Sequence, residues 1–468
     1  MKKARVPVEI CEQILDFVGS MQLPPPLYMD DDFFDDVVQW TTTRLACTLV
    51  CYDWLPRALV LLYRTVQLTS YAGTESLIRA ILSKPYLGSF VHRIIVDYKN
   101  NEYIPWAQTL LLKKLTSLQS LHVHCSWGLK ENRMYPARYY SSLLVHSNIQ
   151  QLVLSCVFGI GGFPWRTVIY LVSSLRALRS LKLQVLGGYM IGDLAEVIPL
   201  IQRHEAIGRP RTCARLETLD IEVMSVSGSF TSQHELLNDF RQGTCLRDLM
   251  THWPFGHSIV RFSTTLPMVP GNTDDSVSDL ASMIGYHGFN SAHRYLINRL
   301  STFPSLSDLC LQFTDAHHFD VFVFRNNFLH VLNLVRACTM LRTLTMRLCV
   351  DPSYLSIHSR VLSELPAISD ITDTLSECKY LHSIQLEIPE DTATVIYNDV
   401  IWWKEEISNF VPTLEKYLHV AVWKYGTGEW FTALHALMLT TTHNVRWGMC
   451  LYPNMGPYRG SAEGEVTS

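Results

Sequence analysis

Residues 178–183 read LRSLKL, and the same spacing returns as LQSLHV at 118–123, LETLDI at 216–221 and LRTLTM at 341–346. Apolar residues at i, i+3 and i+5 place the last two side chains on the same side of a short strand, because strand side chains alternate. Nine copies run along the chain, anchored at Val91-Ile94-Val96, Leu118-Leu121-Val123, Ile149-Leu152-Leu154, Leu178-Leu181-Leu183, Leu216-Leu219-Ile221, Leu246-Leu249 (degenerate at Thr251), Leu306-Leu309-Leu311, Leu341-Leu344-Met346 and Leu381-Ile384-Leu386. Successive first anchors lie 27, 31, 29, 38, 30, 60, 35 and 40 residues apart. One strand plus one helix occupies about that length, and the widest gap predicts an insertion or an unrecognised repeat. Helical periodicity between strands, as in Val168-Ile169-Leu171-Val172-Leu175, Leu194-Val197-Ile198-Ile201 and Leu329-Leu332-Leu334-Val335, completes the alternation. The expected fold is an α/β solenoid in which each unit hides its apolar side only against a neighbour.

In such an array the residues that alternate with the inward pair are predicted to face an open concave wall. That assigns His122, His124, Val153, Ser155, Lys182, Gln184, Asp220, Glu222, Met250, His252, Gln312, Thr345, Arg347, Gln385 and Glu387 to one surface. Its mixed charge predicts a protein partner, since a polyanion requires a uniformly basic wall.

Composition narrows the classes further. The 468 residues carry 39 Lys+Arg against 43 Asp+Glu, a formal charge of -4, with 48% hydrophobic and only 18% charged residues. With a mean hydropathy of +0.09, the chain is expected to be ordered over most of its length. No long basic run marks a nucleic-acid or anionic-membrane surface. No apolar run approaches the roughly 20 residues that span a bilayer, and Glu9, Glu12 and Gln13 interrupt the first hydrophobic stretch where a signal peptide needs an apolar centre. Twelve cysteines without a C-x-x-C pair are expected as reduced thiols, placing the protein in cytoplasm or nucleus.

The N-terminal part differs. Residues 6–19 predict a helix with Pro7 in its first turn, Glu9 at its positive end and Gly19 as its stop. Residues 20–36, with Pro24, Pro25, Pro26 and the acidic cluster Asp30, Asp31, Asp32, Asp35 and Asp36, are expected to form a flexible insertion. Helical spacing resumes through Leu45, Leu49, Val50 and Trp54, breaks at Pro56, and continues to Leu62 and Tyr63 before the strand-like Thr65-Val66-Gln67-Leu68.

Three blocks in this part, Val6-Pro7-Val8-Glu9-Ile10 with Ile14 and Leu15, Leu45-Ala46-Cys47-Thr48-Leu49-Val50-Cys51-Tyr52-Asp53-Trp54, and Leu62-Tyr63-Arg64-Thr65-Val66-Gln67-Leu68, resemble the F-box as it occurs in basidiomycete proteins that join an F-box to leucine-rich repeats. The family pattern is L-P-x-E-[IL], then L-V-C-x-x-W, then L-[YF]-R-x-[VI]. Val6 replaces the usual Leu, and about thirty residues separate the first two blocks.

The resemblance implies a three-helix F-box at 5–68 joined to a leucine-rich-repeat array at 69–388, with parallel strands on the concave face and helices on the convex face; beyond it the repeat spacing fades, which predicts a C-terminal aromatic-rich cap at 389–452 and a disordered tail at 453–468. It further implies docking of a Skp-family adaptor, and through it a cullin–RING ubiquitin ligase, by Val6, Pro7, Ile10, Ile14, Leu15, Leu45, Leu49, Val50, Trp54, Leu62 and Tyr63. An unidentified protein substrate would bind the repeats. The alternative is a repeat scaffold whose F-box is degenerate and which serves no ligase.

No enzyme is expected and no cofactor. His122-x-His124-Cys125 and His317-His318 with Asp320 lack a second ligand cluster, and His234-Glu235-Leu236-Leu237-Asn238 lacks the second His of a zinc motif. Gly159-Ile160-Gly161-Gly162 meets Pro164 where a dinucleotide loop needs Gly, and no G-x-S-x-G elbow occurs.

Overall fold

The computed structural model describes residues 8–20, 31–50, 52, 54–98, 109–125, 148–156, 172, 175–186, 215–224, 258–267, 300, 303–314, 331, 335–336, 338–348, 378–389 and 417–423. Their elements, in chain order, begin with α1 (Val8–Ser20), α2 (Asp31–Val50), α3 (Leu55–Arg64), β1 (Thr65–Leu68), α4 (Tyr71–Ser83), α5 (Leu87–Phe90), β2 (Arg93–Tyr98) and α6 (Thr109–Lys114). Nine strands follow: β3 (Ser120–Cys125), β4 (Gln151–Cys156), β5 (Ser180–Leu186), β6 (Thr218–Met224), β7 (Arg261–Pro267), β8 (Asp308–Thr314), β9 (Thr343–Leu348), β10 (Ser383–Pro389) and β11 (Leu418–Trp423).

All eleven strands form one sheet whose spatial order is the chain order, and every pairing is parallel. A parallel sheet in which each strand lies beside its sequence neighbours, with no reversal of order, is an α/β solenoid-like repeat fold. Register explains why the spacing of apolar residues decides it. Ile94, Leu121, Leu152, Leu181, Leu219, Phe262, Leu309, Leu344 and Ile384 stand in one lateral row, and Val96, Val123, Leu154, Leu183, Ile221, Thr264, Leu311, Met346 and Leu386 in another. Every member of both rows is buried. Each full-size apolar side chain so placed contributes about 1.5–3 kcal/mol against exposure.

The apolar spacing also extends upstream of four strands. Leu112, Leu115 and Leu118 precede β3, Val172, Leu175 and Leu178 precede β5, Leu300, Phe303 and Leu306 precede β8, and Val335, Cys338 and Leu341 precede β9; all are buried. The three-residue step matches tight turns in which Leu115 N–H donates to the Leu112 carbonyl and Leu118 N–H to Leu115, a pattern repeated before β5, β8 and β9.

A backbone ladder then locks the strand entries. The His92 carbonyl accepts from Gln119 and Ser120 N–H, Gln119 from Gln150 and Gln151, Gln150 from Arg179 and Ser180, and the same two-for-one step continues through Arg179, Glu217, Val260, Ser307 and Arg342 to His382 and Ser383. These bonds satisfy donors that a buried strand start would otherwise leave unpaired.

Three expectations need correction. The degenerate repeat at Leu246-Leu249, with Met250 and His252, lies outside the described residues; β6 pairs directly with β7, so the unrecognised rung of the wide gap is Arg261–Pro267, entered through buried Ile259. The sheet does not stop at 388, because Ile384–Pro389 pair with Leu418–Trp423 inside the segment expected as a cap. Residues 31–36 belong to a helix, α2. Residues 1–21 and 41–423 group together, β1 pairs with β2, and His92 N–H donates to the Arg64 carbonyl at 3.0 Å. A second unit groups 22–40 with 424–468; of it, residues 31–40 are described as helix. The repeat helix expected at 194–201 and the tail lie outside the described residues.

Candidate functional site

Two surfaces carry the residues singled out from the sequence. The first is the N-terminal helical head. Its small core joins Leu15 and Val18 of α1, Cys47 of α2 and Ala58 and Leu61 of α3, with half-buried Trp54 packed against them. Pro56, in the first turn of α3, removes no intrahelical bond because the first donors of a helix are unpaired anyway. Arg44 is buried, and its guanidinium donates to the Leu61 carbonyl at 2.8 Å, one of the last-turn carbonyls of α3. Burial, reinforced by the nearby Arg64 charge, pushes the Arg44 pKa down to about 10.

The opposite faces of α1 and α2 are apolar and exposed. Ile10, Ile14 and Phe17 follow one another at i, i+4 and i+7 with 46%, 43% and 64% of their surface open, and Leu45 and Leu49, at i and i+4, with 50% and 80%. Val50 and Tyr52 continue the patch in sequence and are likewise exposed. Of the docking residues expected here, Leu15 is corrected to a core residue, because the helical turn directs it toward α3. Trp54, Leu62 and Tyr63 are half-buried, and Val6 and Pro7 lie outside the described residues.

The second surface is the face of the sheet opposite the two leucine rows. Alternation directs side chains there as expected, and lateral register brings His122, Val153, Lys182, Asp220, Ser263, Cys310, Thr345 and Gln385 into one row. His124, Ser155, Gln184 and Glu222 form the start of a second, which Gln312, Arg347 and Glu387 resume beyond Thr265. Openness is where the expectation fails. His122, Ser155, Gln184, Glu222 and Gln312 are buried, all at 4% exposure or less, and Lys182, Asp220, Thr345, Arg347, Gln385 and Glu387 are half-buried. Polar side chains tolerate this only when bonded to one another, and here they are. His252 lies outside the described residues, as does the side chain of His124.

The bonds cross from strand to strand. The Ser120 hydroxyl lies 3.0 Å from His122 Nε2 and donates to Gln151 Oε1. Ser155 donates to Gln184 Oε1, and Gln184 Nε2 to Glu222 Oε2 at 2.7 Å. Lys182 Nζ lies 2.7 Å from Glu222 Oε1 and 3.4 Å from Asp220 Oδ2. Asp220 shares a hydrogen bond with Ser263, whose hydroxyl oxygen also accepts from Gln312 Nε2 at 3.2 Å. On β9 and β10, Arg347 Nε donates to Glu387 Oε2 at 2.5 Å, and Gln385 Nε2 to Glu387 Oε1 at 3.1 Å.

Charge is uneven within this network. Burial, joined by the Glu222 charge, pushes the Asp220 carboxyl up to about 6 despite Lys182 and the Ser263 bond. Burial alone would lower the Lys182 pKa, but Glu222 and Asp220 together outweigh it and raise the value. Burial pushes the Cys310 thiol up to about 12, which leaves it protonated and unreactive.

Ser263, Thr265 and Cys310 are members of this face that sequence reading missed. Cys310 stood in plain alternation between Leu309 and Leu311, whereas Ser263 and Thr265 belong to the rung whose second apolar position is Thr264. Among the described residues no group of three His, Cys, Asp or Glu side chains is placed to hold a metal ion, and no helix is long and apolar enough to cross a membrane. No protein-family model matches the chain, and no curated protein is similar to it in sequence.

Proposed function

We propose that this chain is the substrate-recognition subunit of a Skp–cullin–F-box ubiquitin ligase, attached to the adaptor by its helical head and to a protein substrate by the polar face of its sheet. The observation that carries the reading is the apolar patch of Ile10, Ile14, Phe17, Leu45, Leu49 and Val50, left exposed while Leu15, Val18, Cys47, Ala58 and Leu61 satisfy the head's own core. Helical spacing of exposed apolar residues is what a partner groove receives, and a monomer gains nothing by exposing them. Five of the side chains, Ile10, Ile14, Leu45, Leu49 and Val50, are ones the F-box resemblance assigns to the adaptor. The sheet contributes proximity, holding the target near a ubiquitin-charged enzyme carried elsewhere in the complex, and needs no catalytic residue.

Co-precipitation of the Skp adaptor from cells tests this directly. Wild type should retain the adaptor, and Ile14→Asp/Leu49→Asp should lose it while keeping its far-ultraviolet circular dichroism, since both sites are exposed. Equal retention by the variant sinks the docking assignment and leaves the repeat-scaffold alternative, in which the polar face binds partners and the head binds none.

A further inference from the structure

From β5 to β10, three cations lie on the polar face among the described residues, and each is already held by a carboxylate: Lys182 by Glu222 and Asp220, Arg261 by Asp308 at 3.8 Å, and Arg347 by Glu387. Four carboxylates face those three cations, so the stretch carries one negative charge in excess. The excess resides at Asp220. Its Oδ2 is the oxygen 3.4 Å from Lys182, whereas Lys182 approaches Glu222 to 2.7 Å. The other oxygen, Asp220 Oδ1, is enclosed with no hydrogen-bond donor, and so is Oε1 of Gln312, a residue only 3% exposed. Both side chains meet at the Ser263 hydroxyl. Gln312 reaches that hydroxyl through Nε2, which leaves its Oε1, like Asp220 Oδ1, without a donor, and buried acceptors so placed carry the full desolvation penalty. The Asp220 side chain as a whole keeps 21% of its surface open and Lys182 19%, so a cation approaches the carboxylate from that open side, next to the enclosed Oδ1.

We infer that the polar face selects an unphosphorylated, basic segment of its protein partner, whose Lys or Arg is received by Asp220 and Gln312 beside Ser263. A guanidinium offers several donors in a planar fork and supplies the missing positive charge. Phosphate would meet the opposite situation, because gripping it requires free Arg or Lys, and here each is already engaged with a carboxylate. At neutral pH Asp220 is ionised, its pKa of about 6 notwithstanding, and available to a cation. The inference rests on reading this face as the partner surface, and not on the ligase assignment.

Selection of a displayed library of random peptides on the immobilised full chain at neutral pH tests it, with Asp220→Asn in parallel and synthetic phosphoserine peptides as competitors. Wild type should enrich Arg or Lys at one position by about tenfold over the input. Asp220→Asn, isosteric and less charged, should fold as well as wild type by circular dichroism and lose that enrichment, and Gln312→Leu should weaken it. Enrichment of acidic residues, effective competition by phosphoserine peptides, enrichment that survives Asp220→Asn, or no enrichment at all would each overturn the inference. Adaptor co-precipitation run alongside separates the two readings: loss of the adaptor with basic selection intact rejects the ligase and keeps the specificity.

Discussion

Replacing Lys182 by Met leaves Glu222 and Asp220, two residues apart on the same face of β6, without a cation. Glu222 is 2% exposed, so its charge has no water to fall back on, and the lysine nitrogen at 2.7 Å is its nearest compensation. Breaking a buried ion pair from one side costs about 3–5 kcal/mol, because the surviving charge must stay desolvated or take up a proton. The companion is the triple variant Lys182→Met/Asp220→Asn/Glu222→Gln, which removes all three charges at similar volume and keeps at position 222 an amide oxygen to accept from Gln184 Nε2. It should lie within about 2 kcal/mol of wild type. The assay is equilibrium urea unfolding of the full chain at neutral pH, followed by circular dichroism and by tryptophan fluorescence so that any intermediate is detected. Acid supplies an internal control. With the lysine gone the carboxyls protonate readily, so the defect of the single variant should shrink as pH falls to about 5. A single variant within 1 kcal/mol of wild type, or a triple variant no better than the single, would show that the cluster does not behave as a buried charge network.

The pH dependence of Asp220→Asn follows from the sign of its shift. A carboxyl whose folded pKa is raised contributes its stability below the unfolded value of about 4 and loses it as pH rises through about 6, so the variant should gain on wild type over that window and stay ahead above it, by up to about 3 kcal/mol. Gly88→Ala should destabilise by about 1–3 kcal/mol or more, since a Cβ there would stand 2.2 Å from the Lys114 carbonyl oxygen of α6, a backbone atom with no freedom to yield; thermal unfolding of the two proteins measures it. Leu15→Ala should cost about 2–5 kcal/mol in the same measurement, whereas Leu49→Ala, four-fifths exposed, should change stability by less than about 0.5 kcal/mol. A reversal of that order would mean the head packs by the other helical face.

Legibility varied with how locally each feature is encoded. Leu178-Leu181-Leu183 and its copies announce their rows because three apolar residues at fixed spacing have few other uses, and register then follows from identical rungs. The seventh rung was hidden because Thr264 fills a leucine position, buried but satisfied only by a bond to the Thr265 carbonyl at 3.4 Å. The eleventh has Leu418 and Val420 in the inward rows, yet the residue three before Leu418 is Glu415, which breaks the spacing at its first position. Asp31, Asp32, Asp35 and Asp36 read as loop because they offer no apolar face, although the N-terminal turn of a helix asks for none.

The polar face shows a different limit. Alternation told which side His122, Gln184 and Glu222 point to, since that is a property of one strand. Whether water reaches them depends on what many strands do together, and only the assembled network of Ser155, Gln184, Lys182 and Glu222 revealed that these groups answer one another. The exposed apolar faces of the head were legible for the converse reason: Ile10, Ile14 and Leu49 are too many hydrophobic residues for so short a helical cluster to enclose.

The two-for-one carbonyl ladder from His92 to Arg342 has a mechanical corollary. Every link joins only consecutive rungs, so tension applied along the strand order would be carried in series, and the weakest link would set the breaking load for the whole array. The seventh rung, with a hydroxyl in its leucine row, is the place to look for that fracture. Pulled from both ends, the protein should part there first and yield two shorter ribbons, each still held by the links within it.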